Sequence, residues 1–580
     1  MQNKEHPKTF EDSFWADQFA EDAIERVENN KFLKDVVKKK GFYVVMDEKT
    51  PSGTIHIGSG RGWVIHDAIA KALRDKGVKA KFILSSDDTD TLDKPSKELS
   101  NEENEKYRGM SFRDIPSPVP GYKHFGDYYF RQCTDLFPNF GIEAELESTG
   151  DEYYKGSFNK TIKIALDNAD KIQNIYKKLY GDDVKAGEKF PFNVKCPQCK
   201  KIATTIALEW DKDKEQLYFE CRDDIVEWAK GCGYKGWISP YNGNGKFPWK
   251  VEWAAKWPTN SVIVETAGKD HFTKGGSRTA ACHFAMDVFN YPPPYPSDKY
   301  ETGPGYEFFT VGGKKMSTSK GHGLGFADSI NYAPAKMLRF LLIRTRPNAV
   351  IDFDPYSNDL ILLYERYDQA ERVYFGKEDM GEKENIRQKR IYELSQVEKI
   401  QKRIPPQVSL SQASMLVQIF DVSTNRKAIF EHAQKPMVFD NEKMIFESLR
   451  NTGQLPDDAT NPDIEYVKER LRFAKKWVEE FADEQYKFIL QKELNQNLNL
   501  SEQQKQALRI LASRLKELKW TEKTLFNEFY RIANDEVRMN TPDLFKAAYL
   551  VLLNKERGPK LAPFILTLGK ERVAKMFENI

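Results

Sequence analysis

The chain has 580 residues and a mass of 67.2 kDa, enough at roughly 100–200 residues per domain for more than one packed core. Hydrophobic residues make up 40% and charged residues 30%, which is typical of a globular protein and excludes a fibrous or wholly disordered one. The 89 basic residues offset 87 acidic ones, so the net charge of +2 neither indicates nor excludes a nucleic-acid partner, for which a local basic face suffices.

The sequence contains neither of the two segments that would direct the chain to or across a membrane. No run approaches the roughly 18 apolar residues that a membrane-spanning helix needs. The first thirty residues lack the basic-then-apolar order of a signal peptide. We therefore expect a cytoplasmic protein that has no membrane partner. We also expect a monomer, which does not follow from these two patterns.

The first predicted elements form a βαβ unit. Residues 42–46, FYVVM, form a short apolar run that is followed by a glycine-containing loop and a helix-like stretch, WVIHDAIAKALRDKG. A second apolar run, KAKFILSS, comes next and leads into a long polar segment. This order places both the glycine-containing loop and the polar segment at the carboxyl edge of a parallel sheet, where functional loops are found.

The next part of the chain indicates a sheet that is split around an insertion. Residues 120–190 are mixed and mostly helical, whereas residues 191–250 carry short strand-like pieces interrupted by Lys, Gly, Pro and Cys. SVIVE at 261–265 is again a buried-strand run, and a helix-like TAACHFAMDVFN follows it. We predict an α/β domain whose halves are residues 1–190 and 251–354, with a small module at 191–250 between them.

The last part of the chain is predicted to be helical. From about residue 355 the strand patterns give way to 3.6-residue periods, for example in Leu508, Leu511, Leu515 and Leu518. Phe526, Phe529, Tyr530, Arg531 and Arg538 are residue types that read unpaired bases, although aromatic residues at helical spacing are more often core. Residues 355–580 are therefore predicted to form an all-α region.

Four of the six cysteines are clustered. Cys196, Cys199, Cys221 and Cys232 lie in the inserted module, whereas Cys133 and Cys282 stand alone. Four thiolates can close a tetrahedral zinc site, and a module of this size has little core without one. The alternative is four buried free cysteines; we favour structural Zn²⁺, because clustering in a cytosolic chain points to metal before disulfide.

The loop after the first strand is the first candidate site. PSGTIHIGS, residues 51–59, places backbone N–H groups and a helix N-terminus where they can face an anion. Its glycines let a phosphate approach closely, and His56 can donate a hydrogen bond to it. A tight strand-to-helix turn would explain the same residues.

Two later loops complete the set. GKDH, residues 268–271, follows the SVIVE strand, where Gly268 allows close approach of a nucleoside and Asp270 can accept its ribose hydroxyls. KKMSTSKG, residues 314–321, carries three lysines and three hydroxyls that can stabilise charge on a departing pyrophosphate. Separately, these loops could be a turn and a solvated surface loop.

Together, HIG, GKDH and KMSxS in this order resemble the signature of class I aminoacyl-tRNA synthetases. The fuller strings TPSGTIHIGSGRG, WAAKWP, VETAGKDHFTKGGS, PPPYPSDKYE and NKERGPKLAPFILTLGKERV are similar to those of the class I lysyl-tRNA synthetase family. The resemblance extends from about Phe42 to the C-terminus. It implies a Rossmann-type catalytic domain split by a zinc-binding module, followed by an α-helical anticodon-binding region.

The resemblance also implies the ATP site. His56, Lys315 and Lys320 would be catalytic, Ser59 replaces the last histidine of the HIGH pattern, and Thr318 replaces the second lysine of KMSKS. Lys320 is the substitute expected for that lysine. The residues expected to bind ATP are His56, Gly58, Ser59, Gly268, Asp270, His271, Lys315, Met316, Ser317 and Ser319.

A lysine substrate needs one or more carboxylates for its ammonium and an apolar or aromatic wall for its methylene stem. Acidic residues follow the second strand and lie near the GKDH loop. The residues expected to bind the substrate are Gly53, Thr54, Asp87, Asp88, Trp253, Glu265 and Tyr300, with Asp90 and Trp257 as further candidates.

The activity that the resemblance implies is ligation of L-lysine to tRNA(Lys), using ATP with Mg²⁺ and releasing AMP and pyrophosphate from a lysyl-adenylate. The zinc module would shape the entrance for the tRNA acceptor end. Two alternatives stay open: a class I synthetase for another amino acid, and a synthetase-like protein that binds tRNA without aminoacylating it.

Overall fold

The computed structural model describes residues 14–181, 189–315, 325–420, 441–491, 493–495, 498–517 and 519–580. These residues divide into two compact units. The first contains the chain up to Ile330, Ala335–Phe353 and Met380–Ile400, and the second contains Asn331–Pro334, Asp354–Asp379 and Gln401–Ile580. The domain bounds drawn from the sequence stay a prediction. None of the described helices is long and apolar enough to cross a membrane.

The strands belong to four small sheets. They are β1 Tyr43–Lys49, β2 Ala80–Ser86, β3 Ala144–Ser148, β4 Asn193–Val194, β5 Thr205–Asp211, β6 Gln216–Cys221, β7 Lys235–Ile238, β8 Gly245–Lys246, β9 Val262–Val264, β10 Phe309–Val311, β11 Lys314–Lys315 and β12 Ile351–Asp352.

The helices account for most of the remaining chain. They are α1 Trp15–Glu28, α2 Lys31–Lys40, α3 Ile57–Asp75, α4 Asn101–Tyr107, α5 Phe125–Thr134, α6 Thr149–Tyr154, α7 Asn159–Asp167, α8 Ala169–Tyr180, α9 Trp249–Asn260, α10 Ser277–Asp287, α11 Phe326–Ser329, α12 Ala335–Arg344, α13 Asp359–Tyr374, α14 Glu382–Ser395, α15 Leu410–Phe420, α16 Glu442–Asn451, α17 Asn461–Lys476, α18 Glu502–Glu517, α19 Glu522–Tyr530, α20 Thr541–Leu553, α21 Leu561–Leu568 and α22 Lys570–Glu578.

The central sheet of the first unit is parallel, with the strand order β3-β2-β1-β9. Side chains alternate between its faces. Val44 and Met46 belong to the core that also contains residues of α9 and α10, whereas Phe82 stacks on His66 of α3. The predicted βαβ unit and the α/β class with a parallel sheet are confirmed.

The segment at 191–250 folds into small antiparallel sheets between α8 and α9. β4 pairs with β8, and β5, β6 and β7 form a three-stranded meander. Its inward side chains, such as Leu217 and Phe219, join the core of the parallel sheet. The sequence prediction of short strands here is confirmed.

Beyond Asp352 the described residues contain helices and no strand, as predicted. In the second unit, Leu508, Leu511 and Leu515 of α18 are buried in one core with α20, α21 and α22; Leu518 lies outside the described residues. Of the aromatic residues on α19, Phe529 is buried, whereas Phe526 and Tyr530 are exposed.

Candidate active site

The parallel pairing of β1 with β9 brings two sequence motifs to one edge of the sheet. Both strands end at this edge, β1 in the loop that leads to His56 and β9 in the loop that leads to Gly268. The backbone of His56 also pairs with that of Gly325, just after the third motif, and the N–H of Phe326 donates to the carbonyl of Ile55 over 2.8 Å. The first two motifs thus lie together, and the chain that follows the third motif contacts the first at Gly325 and Phe326.

The third motif is described only in part. Lys315 ends β11, where its backbone pairs with Thr310 of β10 in an antiparallel hairpin. Met316, Ser317, Ser319 and Lys320 lie outside the described residues.

The glycines of this edge have two different roles. A Cβ on Gly60 would lie 2.3 Å from the ring of Phe326, and one on Gly62 would lie 2.9 Å from Oδ2 of Asp47. These two glycines are needed for packing. A Cβ on Gly53 would meet nothing within 4 Å, and one on Gly268 only the ring of Tyr306 at 4.0 Å. Space therefore remains at the edge itself.

Helix α3 starts directly in the first motif. His56 is its N-cap in an extended conformation, and the N–H of Ser59 donates to the His56 carbonyl over 3.0 Å. Gly58 and Ser59 lie in the first turn, where backbone N–H groups and the helix dipole favour an anion. The sequence-predicted phosphate contacts are thus grouped around one helix N-terminus.

The GKDH loop is fixed by a neighbouring extended segment. The N–H of Lys269 donates to the carbonyl of Tyr306, and the N–H of Tyr306 donates to that of Ala267, both over 2.9 Å. The His271 ring lies 5.5 Å from the Trp249 ring and 5.6 Å from the Trp253 ring. Burial among these groups lowers the pKa of His271, so its imidazole is neutral at pH 7.

Glu265 is buried between two tryptophans and an arginine. Its Oε2 accepts hydrogen bonds from Nε1 of Trp253 over 3.0 Å, from Nε1 of Trp257 over 2.6 Å and from Nη1 of Arg278 over 2.7 Å. The Arg278 guanidinium also lies 5.1 and 4.5 Å from the rings of Trp253 and Trp257. Glu265 and Trp253 therefore lie together, but that carboxylate already has a cationic partner.

Asp87 also has a cationic partner. It pairs with the buried ammonium of Lys256, which lies 3.1 Å from Oε2 of Glu48 and 4.0 Å from Oε1 of Glu252. Lys246 pairs with Asp90 and lies 3.1 Å from Oε2 of Glu252. We call these six residues the α9 charge cluster: Glu48, Asp87, Asp90, Lys246, Glu252 and Lys256.

The α9 charge cluster contains four carboxylates and two ammonium groups. Burial raises the pKa of Glu48 well above its usual range, although Lys256 opposes the shift. Burial also raises the pKa of Glu252. Burial also acts to raise the pKa of Asp90, but Lys246, Thr50 and Lys256 together outweigh it and the pKa is lowered. The raised pKa values favour the protonated forms of Glu48 and Glu252, so the two ammonium groups are balanced by the other two carboxylates. A further cation that enters the cluster would favour the ionised forms of Glu48 and Glu252 and take the place of their protons.

The other predicted lysine contacts are placed separately. Asp88 accepts from Arg113 over 3.1 Å, from Ser148 over 2.7 Å and from the N–H of Gly150 over 2.9 Å, and so joins the loops after β2 and β3. Thr54 is exposed in the first motif loop.

Tyr300 is exposed and contacts the end of α10. Its hydroxyl donates to Asp287 over 2.7 Å, and its ring stacks on His283. These contacts differ from those of Trp253 and Glu265.

The four clustered cysteines converge in the inserted module. Their sulfur atoms all lie within 4.8 Å of one another, with Cys196 to Cys232 at 3.6 Å and Cys199 to Cys221 at 3.7 Å. A tetrahedral site with Zn–S bonds of about 2.3 Å separates its sulfurs by about 3.8 Å. The donor set and its geometry therefore fit one zinc ion.

Comparison with known proteins gives matches over almost the whole chain. A family model described as class I tRNA synthetases (K) matches residues 13–398. The lysine–tRNA ligase of Methanocaldococcus jannaschii is 32% identical over 568 residues, which cover 97% of this chain and 99% of that protein. The lysine–tRNA ligases of Methanococcus maripaludis and Borreliella burgdorferi are 31% and 29% identical, over 93% and 97% of this chain and 97% and 98% of their own.

Proposed function

The chain belongs to the family of class I tRNA synthetases (K), and we propose that it joins L-lysine to tRNA(Lys) with ATP through a lysyl-adenylate. The observation that carries the proposal is the meeting of the HIG and GKDH loops at the carboxyl edge of one parallel sheet, with His56 paired to Gly325, which follows the KMSxS motif in the chain. Relatives that match over nearly their full length and are lysine–tRNA ligases support the choice of lysine.

In the first step, a carboxylate oxygen of lysine attacks the α-phosphorus of ATP, and the bond from that phosphorus to pyrophosphate breaks. In the second, the 2′-hydroxyl of the terminal tRNA ribose attacks the activated carbonyl and AMP leaves. No protein nucleophile is needed, so the enzyme acts by positioning and by charge stabilisation. Mg²⁺ neutralises phosphate charge in this chemistry, and we assign it no protein ligand.

We assign the ATP contacts to the residues grouped at the sheet edge. His56, Gly58 and Ser59 at the start of α3 face the phosphates, and Gly268, Asp270 and His271 hold the adenosine. The KMSxS residues Lys315, Met316, Ser317, Ser319 and Lys320 bind the leaving pyrophosphate.

We propose that lysine lies along α9, with its methylene stem on Trp253 and its ammonium toward the α9 charge cluster. Trp253 and Lys256 are on one side of this helix, and the cluster has more carboxylates than ammonium groups. Asp87 is already paired with Lys256, and Glu265 with Arg278. We therefore propose that these two carboxylates attract the substrate ammonium through the electrostatic potential of the site and not by direct contact.

We place Gly53 and Thr54 at the entrance of this pocket. Asp88 contacts Arg113 and Ser148, and Tyr300 contacts Asp287, so we assign neither of them a contact with the substrate.

The experiment that tests this function is lysine-dependent ATP–pyrophosphate exchange, with and without tRNA, compared with arginine, ornithine and glutamate. We expect exchange with lysine at least about 100-fold faster than with glutamate, because reversing the charge at a carboxylate-rich pocket costs several kcal/mol. Equal exchange with another amino acid would favour a synthetase of different specificity. Absence of exchange with every amino acid would favour the tRNA-binding alternative.

We further propose that the cysteine cluster holds one structural Zn²⁺. Bound zinc would join the end of β6 at Cys221 to two loops of the module, the β4–β5 loop with Cys196 and Cys199 and the β6–β7 loop with Cys232. The loop after Cys199 also supports the catalytic edge, because the N–H of Ile202 donates to the carbonyl of Gly109 over 2.7 Å. The module thereby shapes the surface next to the β2 loop, where we place the tRNA acceptor end.

Replacing Cys196 and Cys199 by serine is expected to reduce zinc from about one ion per chain to near zero and to lower the melting temperature, because folding of this module depends on the metal. Zinc release measured with a chromophoric chelator checks this. Cys133→Ser is the matched control and should retain the metal, since Cys133 is buried in α5 away from the cluster. Equal zinc in both variants would contradict the assignment.

The helical second unit is proposed to bind the anticodon. Phe526 and Tyr530 expose 45% and 43% of their surface and contact each other, with ring centroids 5.1 Å apart. Exposed aromatic faces of this kind stack unpaired bases. We place the reaction in the cytoplasm and propose that the protein acts as a monomer.

A further inference from the structure

Arg61 is a fully buried arginine whose hydrogen-bond partners are backbone carbonyls. It lies in the second turn of α3, two residues after Ser59. Its two terminal nitrogens donate to five carbonyls: Nη1 to Glu307 over 2.7 Å and Phe308 over 3.2 Å, and Nη2 to Arg346 over 3.0 Å, Pro347 over 3.2 Å and Ala349 over 2.7 Å.

No carboxylate forms an ion pair with Arg61 in the part of the chain that the structure describes. Burial lowers the pKa of its guanidinium to about 10, which leaves it charged at neutral pH. A buried charge without a counter-charge is unfavourable unless its hydrogen bonds are well made. The planar guanidinium is suited to this, because its two terminal nitrogens present four N–H donors in a fixed fork that lysine cannot reproduce; its buried Nε has no hydrogen-bond partner among the described residues.

The five carbonyls belong to two segments that lead into the same small sheet. Glu307 and Phe308 come directly before β10, which forms the hairpin with β11 that ends at Lys315. Residues 346–349 come directly before β12, which pairs with β10 in parallel. Arg61 therefore holds the two neighbouring strands of this sheet at their starts.

The same helix also holds the chain where it returns from the KMSxS motif. Gly325 pairs with His56, and the Phe326 ring packs on Gly60 and lies 5.0 Å from the ring of Trp63. Helix α3 thus contacts the chain before β10 and again at Phe326, while its own first turn forms the proposed phosphate site.

We propose that Arg61 is a positioning residue for adenylate formation, which fixes the β10–β11 hairpin, and with it the backbone of Lys315, relative to the first turn of α3. This inference rests on the proposed function. Its physical basis is the sensitivity of phosphoryl transfer to geometry, since a displacement of about 1 Å can cost about 100-fold in rate.

The test uses the full-length protein and compares two buried arginines. Arg61→Lys is expected to lower kcat of lysine-dependent ATP–pyrophosphate exchange about 100-fold while KM for lysine changes by less than about twofold, because the contacts of Arg61 are with the hairpin side and not with α9. Arg339→Lys is the matched control. Arg339 is also fully buried and donates to the carbonyls of Leu394 and Phe140, but it also pairs with Asp67.

Both variants are expected to melt at lower temperature, since both lose buried hydrogen bonds. Only Arg61→Lys should lower kcat, and only that variant should speed hydrogen–deuterium exchange at Thr310 and Val311. Arg61→Gln serves as the second variant if the lysine variant does not fold, with the same expected pattern. In addition, millimolar guanidinium should recover part of kcat in Arg61→Ala and none in Arg339→Ala.

Three results would overturn the proposal: equal losses of kcat in the Arg61 and Arg339 variants, an increase in KM for lysine that matches the fall in kcat, or unchanged amide exchange in the hairpin. Failure of the proposed function gives a different result. In that case the unmodified protein itself shows no lysine-dependent exchange, whereas the amide-exchange comparison still reports on the hairpin.

Discussion

Replacing Lys256 by methionine is expected to lower the free energy of unfolding of the first unit by about 3–5 kcal/mol, because it removes one partner of a buried ion pair and leaves the other uncompensated. The Lys256 side chain is only 1% exposed and contacts both Glu48 and Asp87. Methionine matches the length of the apolar stem, so the loss reports the charge. Urea denaturation followed by tryptophan fluorescence measures it, since Trp253 and Trp257 are on the same helix.

The decrease in the free energy of unfolding of Lys256→Met, relative to the unmodified protein, is expected to grow as pH rises. Burial raises the pKa of Glu48 and Glu252, so in the folded protein they hold protons that they would release when unfolded. The contribution of such a group to the free energy of unfolding is fully present below its pKa in the unfolded chain. It is lost as pH rises through its pKa in the folded protein. Without Lys256 these pKa values rise further, so the deficit should be smaller at pH 5.5 than at pH 8.

Two controls separate the buried charge from general effects of the substitution. Lys250→Met, on the same helix, removes an ammonium that lies over the Tyr180 ring and has no carboxylate partner among the described residues; it should cost less than about 1 kcal/mol. Adding Glu48→Gln to Lys256→Met should recover part of the loss, because the two groups are coupled. A pH-independent deficit would contradict the charge argument.

The fold of the catalytic edge could be predicted because its signals are local. A continuous run of fewer than twenty residues predicts each of the elements β1, α3, β2 and β9. The signal is an apolar stretch or a helical period that is bounded by glycine or polar residues. The HIG and GKDH loops then meet because the parallel strands β1 and β9 end at one edge. This requires only the order of the elements.

The pairing of the acidic residues could not be predicted in the same way. The sequence predicts Asp87 and Glu265 as substrate-binding carboxylates at strand ends. Both lie beside α9, but the cations that they contact are Lys256 and Arg278. Lys256 is 169 residues from Asp87, and no periodicity connects them. One local signal existed: Glu252 and Lys256 lie four residues apart between tryptophans, on a helix too apolar for a solvated pair.

The hydrogen bonds of Arg61 are even harder to predict from the sequence than the ion pairs of Asp87 and Glu265. A backbone carbonyl has the same chemistry at every residue, so nothing in the sequence at 307–308 or 346–349 identifies an arginine partner more than two hundred positions away. The sequence shows an arginine in the helix after HIG, and its burial and five acceptors follow only from the packing of α3 against the small sheet.

Changing Lys315 and Lys320 together to alanine is expected to lower lysine-dependent ATP–pyrophosphate exchange by about 10³-fold, which corresponds to about 4 kcal/mol of transition-state stabilisation. The physical reason is that negative charge moves onto pyrophosphate as it leaves, and the two ammonium groups of the KMSxS motif are placed in sequence to meet it. Stopped-flow adenylate formation, measured at saturating lysine and ATP, separates this step from tRNA transfer.

Lys314→Ala provides the matched control for this change. Lys314 is the neighbour of Lys315 in β11, is exposed, and pairs through its backbone with Val311. Its substitution removes from the same hairpin one ammonium group that has no proposed contact to pyrophosphate. Exchange should stay within about threefold of the unmodified protein, since screened surface charges contribute little. Binding of tRNA should persist in the double variant, because the helical unit is unchanged. Exchange that survives the loss of both Lys315 and Lys320 would remove the KMSxS motif from the catalytic machinery and leave the first turn of α3 as the main phosphate site.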